Sequence, residues 1–136
     1  MQKQNSESNA EKEILNELLL KEEDVLKKLK ELVAISKKYF MIEHNTGNVV
    51  FSKTLRLSNR EKIELLLIGR YFASRLKVIT KEAISIAELS KLLDVPKTTL
   101  SAPLGTLINE GHVNKNADSE YSIIFHKIET ILQSKK

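Results

Sequence analysis

The sequence has no cysteine, which removes disulfides, thiolate metal sites, cysteine nucleophiles and iron–sulfur clusters together and favours an intracellular chain. Glycine and proline are scarce, four and two in 136 residues. That is too few turn formers for a sandwich of short strands, and it fits a mostly helical domain. Long apolar runs are missing as well. Stretches such as Leu18–Leu20 and Leu65–Ile68 end after three or four residues, far short of the roughly 20 needed to cross a bilayer. Met1–Asn9 is polar and lacks the apolar core of a signal peptide, so neither export nor membrane insertion is expected. The four glycines, Gly47, Gly69, Gly105 and Gly111, form no phosphate-binding loop. His44, His112 and His126 stand apart in sequence with no metal-ligand spacing. No catalytic constellation is visible, so the chain reads as a non-enzyme with no cofactor, no metal and no evident small-molecule substrate.

What is present is charge, unevenly divided. Residues 1–52 carry eight lysines against nine acids, whereas residues 53–136 carry fourteen Lys or Arg against nine acids. The second half is therefore the basic half, which permits a polyanionic partner without requiring one. A chain of this length holds one compact domain and at most one appended element.

Ser8 and Glu11 have the spacing of a capping box, so a helix is expected from about Glu11 to Phe40, with residues 1–9 unstructured before it. Its apolar positions recur seven apart in two columns, Leu18, Val25, Leu32, Tyr39 and Leu19, Leu26, Val33, Phe40, with Leu15 and Leu29 beside them. Thirty residues span about 45 Å, more than a domain of this size covers. Part of the stripe should meet a second subunit or a folded-back helix, although packing on its own domain stays open. Polar interruptions at Glu22 and Ser36 leave room for a break. Leu18, Leu19, Val25, Leu26, Leu29, Leu32 and Val33 are the candidate dimerisation residues. Asn, Thr and Gly between Met41–Glu43 and Val49–Phe51 predict a small hairpin.

Ser58 and Glu61 form a second capping box, opening a helix to about Arg75 that is apolar nearly all round. Gly69 inside it predicts close approach of a neighbouring backbone, since glycine costs about 1 kcal/mol there relative to alanine. After a connector, Ser85 and Glu88 make a third box for a short helix through Leu93. Asp94–Pro96 turns into a further segment ending at Glu110-Gly111, where Gly111 suits a left-handed C′ position. Val95 is the inward residue that locks the two helices at a steep angle. His112–Lys115 and Glu120–Ile124 then read as strands joined by Asn116–Ser119. The tail carries Phe125, Ile128, Ile131 and Leu132 at helical spacing, for packing on the core or on a partner.

The composite of Ile86-Ala87-Glu88-Leu89-Ser90, Leu93 to Ser101, Leu104, Leu107, Glu110 to Val113 and Tyr121 resembles the winged helix-turn-helix superfamily of DNA-binding proteins, in particular small archaeal and bacterial regulators. It covers residues 59–124, about half the chain. The resemblance implies a mostly α winged helix-turn-helix domain with a small β-wing, to which the apolar periodicities add a long N-terminal amphipathic helix and a short C-terminal helix. The expected division is an unstructured 1–9, an N-terminal helix and hairpin over 10–52 for dimerisation or packing, and a winged-helix domain over 53–136. It also implies double-stranded DNA as partner and a dimeric transcriptional regulator or chromatin-associated factor, cytoplasmic and nucleoid-associated. Lys97, Thr98, Thr99 and Ser101 would lie on the recognition helix, and Asn114, Lys115 and Asn116 on the wing. Pro103 and Gly105 depart from the family, since neither side chain can hydrogen-bond. Pro103 is expected either to kink the helix or to start a second segment. The competing reading is a winged-helix protein-interaction module that does not bind DNA.

Overall fold

The computed structural model describes residues 2–19 and 22–135. The chain is mostly helical with two small antiparallel sheets, and it divides into two compact units, one up to Val33 and one from Ala34 onward.

The N-terminal unit holds α1 (Gln2–Leu15), a 3₁₀ turn (Asn16–Leu18) and most of α2 (Glu22–Ser36). This corrects the single helix expected from Glu11 to Phe40. The helix starts at Gln2, so Ser8 and Glu11 lie inside it, residues 2–9 are helical, and only Met1 of the segment expected to lack structure falls outside the described residues. A Ser-x-x-Glu spacing is compatible with a helix interior as well as with a cap, because serine costs only a few tenths of a kcal/mol there. The helix breaks after Leu18, where Leu19 turns to extended backbone (φ −86°, ψ 133°) with its N–H donating to the Asn16 carbonyl at 3.0 Å. The seven-residue columns therefore do not run through. Leu18 and Leu19 flank the break, while Tyr39 and Phe40 lie beyond the end of α2.

In the C-terminal unit, Phe40 leaves the turn after α2 and enters β1 (Phe40–Ile42), which pairs with β2 (Val49–Phe51) as the expected hairpin, Met41 opposite Val50. Its loop is held by Glu43, whose carboxylate accepts from the N–H groups of Asn45 and Thr46 at 3.2 and 2.6 Å. Gly47 closes the loop at φ +74°.

At the centre lies α3 (Asn59–Arg75), opened by a complete capping box. Ser58 accepts from the Glu61 N–H at 3.2 Å, and the Glu61 carboxylate accepts from the Ser58 N–H at 3.1 Å. Ile63 and Leu65–Ile68 are buried on every side of α3 because elements pack all round it: the hairpin, Leu100, Leu104 and Leu107 of α5 (Lys97–Asn109), and β5 (Glu120–Ile123). Gly69 does permit a close approach, but by side chains rather than by backbone. An added Cβ would collide with Val49 and come within 3.3 Å of the Phe40 ring.

The second sheet has the order β3 (Ile84–Ser85), β5, β4 (Val113–Lys115), all antiparallel. A 3₁₀ turn (Phe125–Lys127) leads to α6 (Ile128–Ser134), which buries Ile128, Ile131 and Leu132 within the chain. Phe125 departs from that stripe. It is 65% exposed, with its ring 5.5 Å from that of Tyr71.

Candidate nucleic-acid interface

The expected site residues lie on α5 and on the β4–β5 hairpin, and the geometry of both follows from the turn that precedes them. α4 (Ile86–Leu93) is capped by Ser85, whose hydroxyl accepts from the Glu88 N–H at 3.2 Å. Only half of the expected box forms, because the Glu88 carboxylate faces the Ser85 hydroxyl at 3.5 Å instead of the Ser85 N–H. At the other end Asp94 adopts left-handed backbone (φ 55°, ψ 47°), which aspartate tolerates better than most residues. Ser90 pins the turn from both sides: its carbonyl accepts from the Val95 N–H at 3.2 Å and its hydroxyl donates to the Val95 carbonyl at 2.7 Å. Val95 is buried as expected, and Pro96 delivers the chain into α5.

Leu100, Leu104 and Leu107 form the buried face of α5, leaving Lys97, Thr98, Thr99, Ser101, Ala102 and Thr106 exposed. α5 is one continuous helix. Pro103 lies within it, neither starting a second segment nor ending the first, and it leaves the Thr99 carbonyl without its helical donor. Ser58 and Ser85 cap α3 and α4, whereas Pro96 offers α5 no side-chain acceptor. The N–H groups of Lys97 and Thr98 consequently have no acceptor among the described residues, at the end of the helix that carries Lys97. Two hydroxyls farther along are engaged locally: Ser101 donates to the Lys97 carbonyl at 3.3 Å and Thr106 to that of Ala102 at 3.1 Å.

Beyond α5, Gly111 takes φ +76°, as its position after the helix requires, and the chain turns into β4. Asn114 and Lys115 are exposed on β4, with the Lys115 ammonium 5.7 Å from the centre of the Tyr121 ring. Asn116 organises the hairpin loop. Its side-chain oxygen accepts from the N–H groups of Asp118 and Glu120, both at 2.9 Å. Lys81 anchors the hairpin from the connector after α3, 2.6 Å from the Glu120 carboxylate. Hydrogen bonding from Lys81 is the main cause that holds the Glu120 carboxyl below its ordinary value.

A charge cluster that sequence reasoning missed sits where α5 meets β4. Glu64 of α3 is 4% exposed and faces Lys135 (3.3 Å), His112 (3.6 Å) and Arg60 (3.8 Å). Arg60 continues to Glu110 at 2.5 Å, Lys135 to Glu61 at 3.5 Å, and Tyr39 donates its hydroxyl to the Lys135 carbonyl at 2.7 Å. The available signal was a carboxylate within the otherwise apolar run from Ile63 to Ile68; Arg60 is one turn away on α3, whereas His112 and Lys135 come from distant parts of the chain.

Among the described residues no three His, Cys, Asp or Glu side chains gather as metal ligands, and no helix is long and apolar enough to cross a membrane. The chain matches no family model, no curated protein and no solved structure.

Proposed function

We propose that the C-terminal unit is a winged-helix DNA-binding domain and that the protein acts as a homodimeric DNA-binding regulator or chromatin-associated factor. The observation that carries this reading is the connectivity α3, β3, α4, tight turn, α5, β4, β5 with sheet order β3-β5-β4. That arrangement leaves the first turn of α5 and the β4–β5 hairpin exposed. In such a domain α5 is the recognition helix and the hairpin is the wing. Lys97 and the open N–H groups beside it suit a phosphate, since a helix start favours anions. Thr98, Thr99 and Asn114 are the side chains free to meet bases, and Lys115 a second phosphate.

Support for the dimer comes from the N-terminal unit, where Leu18, Leu19, Val25, Leu26, Leu29 and Val33 are exposed and Leu32 is half-buried. A row of apolar side chains of that length calls for a cover.

Gel-shift titration with random-sequence duplex at two salt concentrations tests the reading. Binding should fall steeply with salt as released counterions return, and Lys97→Ala with Lys115→Ala should lower the salt slope by about two units. Unchanged affinity in that double variant, with circular dichroism intact, excludes this face as the DNA site. One observation favours a protein-interaction module instead: Lys97 is the single cation on α5, and its exposed surface is otherwise small and neutral. Absence of duplex binding at low salt would select that second reading.

A further inference from the structure

We propose that the outer edge of β2 is a docking site for one extended peptide segment carrying a carboxylate, taken up by strand addition. The site lies apart from the α5–hairpin face and does not depend on the DNA reading.

The first observation is an open strand edge. Backbone bonds from Ser52 N–H to the Tyr39 carbonyl (2.9 Å) and from Glu43 N–H to the Asn48 carbonyl (2.8 Å) fix which residues of the hairpin face inward. In an antiparallel pair these alternate, so Met41 and Val50 bond across the ladder. The N–H and C=O groups of Val49 and Phe51 therefore point away from β1, and no hydrogen bond joins them to another described residue. An edge of this kind is a template for a further strand.

Next to it lies a groove of about 380 Å³, lined by Asn48–Phe51 on one side and by Leu66 and Arg70 of α3 and Leu92 of α4 on the other. A strand added to that edge would lie about 4.8 Å from β2, beside the side chains of Leu66 and Leu92 that line the groove. The open N–H and C=O groups call for an extended backbone, because a helix has already bonded its own backbone groups to one another. Leu66 and Leu92 give that chain an apolar floor and wall, with Leu92 itself 47% exposed.

Charge supplies the remaining constraint. Arg70 is fixed by donating Nε to the Glu82 carbonyl and Nη2 to the Lys81 carbonyl, both at 2.8 Å. Those acceptors are neutral, so the guanidinium keeps its charge at the groove. Glu88 and Glu82 are the carboxylates whose charges act on it. A guanidinium held at the wall of an apolar groove favours a carboxylate on the incoming segment.

The probe is the peptide acetyl-Thr-Val-Thr-Val-Asp-amide, titrated into the full-length protein with backbone amide resonances as readout. Binding on the order of 1 mM or tighter is expected, with the largest shifts at the Val49 and Phe51 amides. Replacing the terminal Asp by Asn should weaken it about tenfold, and N-methylation of alternate backbone nitrogens should abolish it. Leu92→Glu, at a position exposed enough to keep the fold, brings a carboxylate into the groove and should abolish binding too. Three results overturn the proposal: no shift at Val49 and Phe51 at millimolar peptide, equal affinity for the N-methylated peptide, or equal affinity for the Asn peptide. Because no DNA enters the experiment, its failure leaves the DNA reading untouched, and the gel-shift result leaves this one untouched.

Discussion

α2 and α3 are both leucine-rich helices of similar length, yet they have opposite fates. In α3 the apolar side chains Leu65, Leu66, Leu67 and Ile68 are buried within the C-terminal unit. In α2 the side chains of Val25, Leu26, Leu29 and Val33 stay open to solvent, as do Ile14 and Leu15 in α1. Periodicity in a sequence states that a face wants cover, but the identity of the cover is a separate matter. α3 carries apolar residues on all sides, so only a centre surrounded by other elements satisfies it. The α2 stripe covers one side, which a second copy can satisfy as well as another part of the chain.

The sharpest way to test this contrast is to cut the same side chain from both helices. Leu67→Ala, at a site with no exposure, should cost about 2–5 kcal/mol through lost transfer energy and the cavity left behind. Leu26→Ala, at a site 52% exposed, should cost about 0.5 kcal/mol or less at concentrations where the protein is a monomer. Urea denaturation of both variants decides it. If Leu26→Ala approaches the cost of Leu67→Ala and the cost grows with protein concentration, the α2 face is already covered by a second copy. Light scattering then supplies the complement: Leu26→Asp with Val33→Asp should leave a monomer at concentrations where the wild type associates.

The charge cluster offers the next contrast, a buried carboxylate against an exposed one. Glu64→Ala should cost about 1–2 kcal/mol, because Lys135, 10% exposed, loses its nearer carboxylate and keeps only Glu61 at 3.5 Å, whereas Arg60, 37% exposed, keeps Glu110. Glu31→Ala, which removes an exposed partner 3.7 Å from Lys28, should change stability by less than about 0.5 kcal/mol. Equal costs would mean that Glu64 is better solvated than its burial indicates.

Glycine provides a third comparison. Gly47→Ala places a Cβ at φ +74° and against the Ile79 side chain, so it should cost about 1–2 kcal/mol from the backbone alone. Gly105→Ala meets no atom within 4 Å and lies in a helix interior, where alanine is favoured by up to about 1 kcal/mol. Thermal melts of the pair should therefore move in opposite directions.

Much of the C-terminal unit was legible in the sequence because its signals are local. Ser58, Ser85, Val95 and Gly111 each act within a few residues of themselves, and each sits where its spacing placed it. The same holds for the loop between Ile42 and Val49. Local signals misled where they have two solutions. Ser8-x-x-Glu11 fits a helix interior as well as a start, and the seven-residue columns ran on through a break at Leu19 that no proline or glycine marks. Of the candidate interface, Lys97, Thr98, Thr99, Asn114 and Lys115 were picked out by the resemblance to winged helices, and all five are exposed. The engagement of Asn116 by its own loop was partly visible in its place before Asp118, as an Asx turn. The cluster around Glu64 was not legible, because its partners lie up to 71 residues away. Nor was the groove beside β2, which needs the hairpin, α3 and α4 in place.

The smallest expected effect concerns two glutamates near β3: Glu120 of β5, opposite Ser85, and Glu82, just before the strand. Lys81 hydrogen-bonds Glu120 and holds its carboxyl below the ordinary value, whereas burial pushes Glu82 above it. The linkage signs are opposite. A carboxyl depressed in the folded state adds stability that is present above its unfolded value and is lost as pH falls through the folded one. A carboxyl raised in the folded state costs stability once pH rises past its unfolded value, and acidification relieves that cost. Lys81→Gln should therefore move the Glu120 midpoint upward toward its ordinary value and lower stability slightly at neutral pH, so that less is lost on acidification and the acid limb is flatter. Glu82→Gln should do the opposite, raising stability slightly above the ordinary carboxylate range and leaving it unchanged in acid, so that the acid limb is steeper. Carboxyl carbon shifts followed through a pH titration read both midpoints directly. A Glu120 midpoint that stays put in Lys81→Gln would mean that Asn116, the second cause of its depression, accounts for the shift.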